Sequence, residues 1–579
     1  MRLTRKPGVQ PTDPVCAGPG VAVCARAVSA LALAVGAVLA LAAGCVQEAE
    51  PTPPREPRDV EVPTYLTDTV GEIARFAGRE PLIVQGFGFV TGLDGTGTTV
   101  VPPGIRRQIL EVMHRNKVPD AEQILSSRDT AVVSVFGEVP PGARAGERFD
   151  VGVRVVPGTE TTSLEGGFVL PCELRRVRTS RGVEARSERL AIGEGGIFVS
   201  PFVEEDQAVI PAGPTAGRIL AGGQTLKDRE FRLVLVTPSV RTADQVVRLI
   251  NARFPDAAKG SRDPSRIDLT VPVEFQDDKP RFLDLVGALY MREMPGARDQ
   301  RVRLLLDTLA KGEDMDRVAL CLEAFGAGVA PHLYPLGESS NPAVRFYAGR
   351  TLAHLQDARA VHVLEPLAMN DTSEWQEEAV RALGTLRSGL GLGVLGRALD
   401  VKSARVRLAA WQAMADLTPR SFLVRRFDGK FDVYAVATRA QPFIYVARTL
   451  EPEIAIFGDV TVRPPVLAEI RRVTATVREG EPALTLIARR RQHDLRVEAG
   501  LTARAVIETM AGPITAKDDP SNTVIGLDLG YSDVVGLLHE LGRKGALTGP
   551  VVLQPLEYRV LRPRPQPRPI APPEQDQQP

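Results

Sequence analysis

The sequence predicts an α+β fold whose β-rich regions are split by an inserted α-solenoid. Two observations carry that reading. Through residues 63–291, short runs of alternating apolar and polar residues bounded by glycine and proline mark strands. Between residues 292 and 419 the apolar positions instead recur at helical spacing, with a step of 31 residues. At 579 residues the chain has room for about three or four domains, each with its own core. Lys plus Arg and Asp plus Glu balance at 71 each, so the whole-chain charge points to no nucleic-acid partner.

Residues 1–44 have the form of a secretory signal. Arg2, Arg5, Lys6 and Arg26 precede an Ala-rich apolar run from Ala27 to Ala43. Leu41-Ala42-Ala43-Gly44-Cys45 resembles a bacterial lipobox, so cleavage before Cys45 and acylation of its thiol are expected. Val46 rather than Asp follows the cysteine, which by resemblance to sorted lipoproteins implies the outer membrane. Residues 45–62, rich in proline and charge, form an extended tether that would lift the folded part off a membrane. Cleavage leaves Cys45, Cys172 and Cys321. Without a C-x-x-C pair, Cys172 and Cys321 are expected as buried thiols, with a bridge between them as the alternative.

Residues 69–76 read as a short helix or the start of a strand, leading into the densest glycine stretch of the chain. Gly86, Gly88, Gly92, Gly95 and Gly97 fall within twelve residues, interleaved with Phe87, Phe89, Val90 and Leu93. Glycine at this density means φ > 0 or close backbone approach. A P-loop needs Gly-Lys-Ser/Thr, and no lysine follows here. A dinucleotide fingerprint needs G-x-G-x-x-G opening a helix, whereas Gly86, Gly88 and Gly92 give a longer second gap. Asp94-Gly95-Thr96-Gly97 lacks the Thr or Ser of an aspartic-protease loop. A buried strand over residues 83–90 and a turn at Asp94-Gly95 remain. Beyond it the spacing predicts a helix over 105–117, strands over 131–136, 148–156 and 232–236, and a helix over 242–254.

Within residues 292–419, Ala348, Ala379 and Ala410 are 31 apart, as are Leu352, Leu383 and Met414, and Leu355, Leu386 and Leu417. A second helix keeps the same step through Leu333, Leu364 and Leu395, and through Ala330, Val361 and Leu392. Two amphipathic helices per step resemble HEAT-like repeats, each hairpin covering its neighbour's apolar face. Residues 561–579 are Pro/Gln-rich and expected to be disordered.

Catalytic chemistry finds little footing. The histidines His114, His332, His354, His362, His493 and His539 are scattered, with no metal-ligand spacing. No G-x-S-x-G or S-x-x-K occurs, no two carboxylates are singled out as an acid/base pair, and no cofactor is implied. Trp375 and Trp411 fall in the repeats and read as packing residues.

The ordered motifs of residues 69–174 resemble the bacterial flagellar P-ring protein family. They are the glycine stretch just described, then Pro140-Pro141-Gly142-Ala143-Arg144-Ala145-Gly146-Glu147-Arg148-Phe149-Asp150, and then Ser163-Leu164-Glu165-Gly166-Gly167. The likeness resumes at residues 453–464, as a strand-turn-strand, and at residues 531–547, as a closing helix. The resemblance implies P-ring-like regions at 63–291 and 420–560 flanking the repeats of 292–419, with the structural role carried by Gly86, Gly88, Gly92, Gly95, Gly97, Pro140, Pro141, Arg144, Gly146, Asp150, Gly166 and Gly167. It also implies a non-enzymatic ring of many copies around the flagellar rod, in the periplasm at the peptidoglycan layer. Its expected neighbours are rod and L-ring proteins, peptidoglycan and, through Cys45, the outer membrane. An envelope adaptor holding an unknown protein on its repeats is the alternative.

Overall fold

Residues 63–554 are described in a computed structural model, apart from 116–118, 177–178, 181–182, 185–187, 203–212, 293, 295, 388, 491–493 and 515–524. The expected signal, the acylated Cys45, the tether, His493 and the tail at 561–579 lie outside the described residues.

The first half nests one β-structure inside another. An antiparallel sheet in the order Ala74–Ala77, Phe231–Leu235, Arg266–Leu269, Ala258–Gly260 is covered by helices Val240–Arg253 and Lys279–Ala288. Ser239 caps the first helix by accepting from the Thr242 amide, and Asp278 caps the second from Arg281. Between its first two strands the chain leaves to build a closed six-stranded barrel. Its order is Leu82–Thr91, Ala131–Val139, Arg148–Val155, Ala216–Thr225, Arg189–Gly196, Phe168–Arg176, all antiparallel. Val84, Val133, Val135, Val151, Val153 and Leu174 fill it. A bore of six strands is narrow, so glycine must alternate with these larger residues on the inner wall.

The glycine-rich strand is therefore only half buried. Ile83 is 39% exposed, because alternate residues of a barrel strand face outward. Further along, outward Phe89 is covered by helices Pro103–Arg115 and Ala121–Leu125 through Ile109, Met113 and Leu125.

Among the described residues, eight α-helices follow from Ala297–Lys311 to Ala404–Leu417. Of the positions 31 apart, Ala348, Ala379, Ala410, Leu352, Leu383, Leu333, Leu364 and Leu395 are fully buried. This block shares one continuous apolar cluster with the sheet domain before it and with Val436, Phe443, Tyr445, Ala455 and Phe457 after it. Trp411 is the wedge, with ring contacts to Tyr434 at 5.2 Å, Tyr445 at 5.8 Å and Phe457 at 6.1 Å.

The last part holds two sheets. The first is mixed, in the order Leu423–Phe427, Phe431–Val436, Glu453–Phe457, Phe443–Val446, Val551–Leu553. One face meets Trp411. The other, with Val433, Ile444, Val446, Ile454 and Ile456, joins a second core with helices Ala503–Ala511 and Tyr531–Arg543. The second sheet, Val466–Glu469, Val473–Val477, Ala483–Ala488 and Leu495–Gly500, is antiparallel and packs into that same core. The strand-turn-strand expected at 453–464 is corrected. Glu453–Phe457 is a strand and Gly458 turns at φ 69°, but Thr461 and Val462 make only isolated bridges, to Thr502 and Leu547.

Candidate functional site

The glycine stretch is a barrel strand whose glycines are required by their neighbours. A Cβ on Gly86 would overlap the Glu173 carbonyl oxygen, and one on Gly88 would lie 2.8 Å from a Val135 methyl. At the turn, Asp94 (φ 47°) and Gly95 (φ 89°) are both left-handed. The turn's amides are spoken for: Gly95 donates to Asp129 Oδ1 at 2.9 Å, Gly97 to the Arg128 carbonyl at 2.8 Å and Thr98 to the Thr130 carbonyl at 2.9 Å. With these donors bonded to protein acceptors, the loop offers none of the three to a phosphate.

The Pro140–Gly146 corner docks the barrel on the sheet domain. Arg229 donates to the carbonyls of Val139, Pro140 and Glu80 at 2.6–2.7 Å. Gly142 (φ 63°) lies under the Phe231 ring, leaving no room for a Cβ. Pro141 begins the turn. Glu147 accepts from the Arg144 amide at 3.0 Å and from the buried Lys279 ammonium at 2.6 Å. The Gly146 amide closes the corner on the Thr225 carbonyl at 2.8 Å.

Asp150 reaches furthest. Its Oδ1 accepts from the Ala221 amide and the Leu450 amide, both at 2.8 Å, while Oδ2 faces Arg218 at 3.5 Å. Ala221 (φ 48°) and Leu450 (φ 56°) are left-handed without being glycine, so Asp150 holds two costly backbone conformations at once. The pairing of strands Arg148–Val155 and Ala216–Thr225 shifts register here, and the bulge aims Ala221 at the carboxylate. Burial pushes the Asp150 carboxyl up, with Arg218 and the two amides pulling it back. Arg218 also donates to the Arg448 carbonyl at 3.3 Å.

A second tie starts at the glycine turn. Arg472 lies against Gly166 and places its guanidinium 3.5 Å from Asp94 and 3.2 Å from Asp533. Asp533, in the first turn of helix Tyr531–Arg543, also accepts from the Gly530 amide at 3.4 Å, and Arg471 faces Glu165 at 3.6 Å. Gly167 packs under Val90, where a Cβ would come within 2.7 Å. Gly92 (φ 81°) turns the chain beside the Gly166 carbonyl. Phe198 and Phe202 complete the junction by entering the C-terminal core, and Phe198 lies 5.5 Å from the Tyr531 ring. Sequence reasoning placed the motifs, and with them Gly217-Arg218-Ile219 and the helix that holds Asp533, but gave Arg218 and Asp533 no role and missed Leu450 and Arg472, which lie outside the motif segments.

The family model described as flagellar P-ring protein matches residues 69–302, the segment that carries the sheet domain, the barrel and the Pro140–Gly146 corner. The flagellar P-ring protein of Thermotoga petrophila is 32% identical over 237 residues, covering 40% of this chain and 70% of that protein. This chain belongs to the flagellar P-ring protein family. The P-ring protein of Geotalea uraniireducens is 27% identical over 264 residues, covering 43% of this chain and 68% of its own. That of Caulobacter vibrioides is 29% identical over 225 residues, covering 37% and 58%. The P-ring match ends within helix Ala297–Lys311, so most of the helical block and the partners Leu450, Arg472 and Asp533 lie beyond it.

Cys172 and Cys321 are free, buried thiols, pushed up to about 12 and about 11 by burial. Among the described residues, no group of three or more His, Cys, Asp or Glu could hold a metal, and no helix is long and apolar enough to cross a membrane.

Proposed function

We propose that this chain is a structural, non-catalytic subunit of the flagellar basal body, assembling with its own copies into a P ring around the rod. The observation that carries this is the family match over residues 69–302, which falls on a barrel whose motif residues all serve packing and docking. In this reading the ring sits in the periplasm at the peptidoglycan layer, beside rod and L-ring proteins, and Cys45 tethers each subunit to the outer membrane by lipid. Residues 292–419 act as a HEAT-like solenoid that braces the two β-rich regions, supported by the buried positions 31 residues apart.

The test is to image isolated basal bodies carrying labelled full-length chain. Label at the P-ring position supports the assignment, and its absence from basal bodies refutes it. Excising 292–419 is not an equivalent test of the solenoid, because it would bare Tyr434, Tyr445 and Phe457.

A further inference from the structure

We propose that residues 556–562 of one copy of this chain add as a strand to the outer edge of Val551–Leu553 in a second copy, seating their apolar side chains in the cavity beside that edge. The contact goes beyond the ring reading and is tested apart from it.

Val551–Leu553 ends the mixed sheet, paired in parallel with Phe443–Val446. The Ile444 amide donates to the Pro550 carbonyl and the Gln554 amide to the Val446 carbonyl, both at 3.0 Å. Residues 550 and 554 therefore aim their peptide groups at the sheet, and Val551 and Leu553, one step out of phase, aim theirs outward. Among the described residues, no strand lies beyond them. Val551, Val552 and Leu553 are apolar and only half-buried, an edge of the kind that templates pairing with another chain.

A cavity of about 440 Å³ opens beside this edge. It is lined by Val551 and Leu553 from the strand, His539 and Arg543 from helix Tyr531–Arg543, and by Phe202 and Leu547. Phe202 and His539 meet edge to face at 4.5 Å. A strand added here places every second side chain on the face that Val551 and Leu553 share, and so beside the cavity. The occupant this geometry fits is an extended segment with apolar residues at period two.

The chain carries such a segment just past the edge. Pro555 and Pro563 bracket residues 556–562, where Leu556, Tyr558 and Val560 alternate with Glu557 and Arg559. The segment is poorly placed to reach its own edge, because Gln554 is held on both sides. Its Oε1 accepts from the Arg448 amide at 2.8 Å and the Thr449 amide at 3.0 Å, and its carbonyl accepts from Arg448 Nε at 2.9 Å. Folding back from there takes a tight hairpin with residues at φ > 0, and 555–562 contains no Gly, Asn or Asp. A second copy offers the same edge without that turn.

The test puts Tyr558→p-benzoylphenylalanine in the full chain, in cells. Irradiation should give an adduct of two copies, with the crosslink mapped by mass spectrometry to residues 539–553. Leu553→Pro removes an outward amide and keeps the pairing with Phe443–Val446, so it should cut the adduct by about tenfold or more with the urea midpoint unchanged. Leu556→Asp with Val560→Asp, outside the described fold, should cut it as far, which keeps the test decisive if Leu553→Pro fails to fold. An adduct within one chain, with a different protein or with another surface of a second copy overturns the proposal. So does no adduct, or one that the substitutions leave intact. A mapped two-copy adduct with label absent from basal bodies keeps this contact and rejects the ring, whereas label at the P-ring position without the adduct does the reverse.

Discussion

Replacing Asp150 with alanine removes one side chain and disturbs three parts of the chain. The carboxylate accepts two amides at 2.8 Å, those of Ala221 and Leu450, and faces Arg218. A hydrogen bond to an ionised acceptor contributes about 1.5–3 kcal/mol, so two bonds give about 3–6 kcal/mol. Relief from burying the carboxylate returns part of this, leaving a net loss of about 2–4 kcal/mol. Asp150→Asn keeps Oδ1 for both amides but weakens each bond by removing the charge and gives up the attraction to the nearly buried Arg218, a net loss of about 1–3 kcal/mol. The assay is urea unfolding of the soluble chain combined with hydrogen exchange at the Ala221 and Leu450 amides. Asp150→Ala should lower the first transition and speed exchange at both amides, and Asp150→Asn should speed exchange less. If Asp150→Ala costs under about 0.5 kcal/mol with both amides still protected, the carboxylate does not hold the junction and the reasoning fails.

Gly86→Ala should destabilise the barrel by about 3 kcal/mol or more, because its Cβ meets a backbone carbonyl that cannot swing aside, while Gly104→Ala, with nothing within 4 Å, should be neutral or slightly stabilising; thermal melts of the two variants separate these outcomes. Asp94→Asn should change stability by under about 1 kcal/mol, since its ion pair with Arg472 is half exposed, as denaturant midpoints will register. Burial and its acidic neighbours raise the Glu453 carboxyl to about 7, above its unfolded value, so the folded state binds the extra proton and stability rises as pH falls from 8 toward 5. That gain is at most about 3 kcal/mol, and Glu453→Gln should flatten the pH profile and stabilise the chain at pH 8. Cys172 and Cys321 should resist iodoacetamide at pH 8 in the folded chain and react fully in urea, as mass spectrometry would read.

Local order was readable from sequence where a period carried it. The 31-residue step located the buried alanines and leucines of the helical block, helix spacing placed Val240–Arg253 close to its bounds, and the family resemblance, given as 531–547, placed Tyr531–Arg543. Closure was not readable. Strand Leu82–Thr91 pairs with Phe168–Arg176 across a register shift, and nothing local to either strand announces a barrel. The antiparallel sheet of residues 466–500 was missed although its signal was present: Val473, Ala475 and Val477, then Leu484, Leu486 and Ala488, alternate strictly inward. At the junction, the motif fixed attention on Asp150 without naming Leu450, because hydrogen bonds from backbone amides leave no mark on residue type. The half-buried state of the glycine strand was misjudged for a related reason: apolar Phe87 and Phe89 look like core, and their cover comes from separate helices.

The bond from Leu450 to Asp150 spans 300 residues. A chain threaded out amino end first exposes the whole barrel sequence long before Leu450 arrives. Until then Asp150 has Arg218 and the Ala221 amide but not its last donor, and Phe198 and Phe202 have no core to enter. The most non-local contacts are the slowest to form, so the barrel, whose strands all lie between Leu82 and Thr225, waits with its junction unmade and aromatic surface uncovered. Delivery of the late segment thus completes the junction rather than the barrel, and a subunit truncated before Leu450 would carry a barrel with Phe198 and Phe202 uncovered and open to proteolysis.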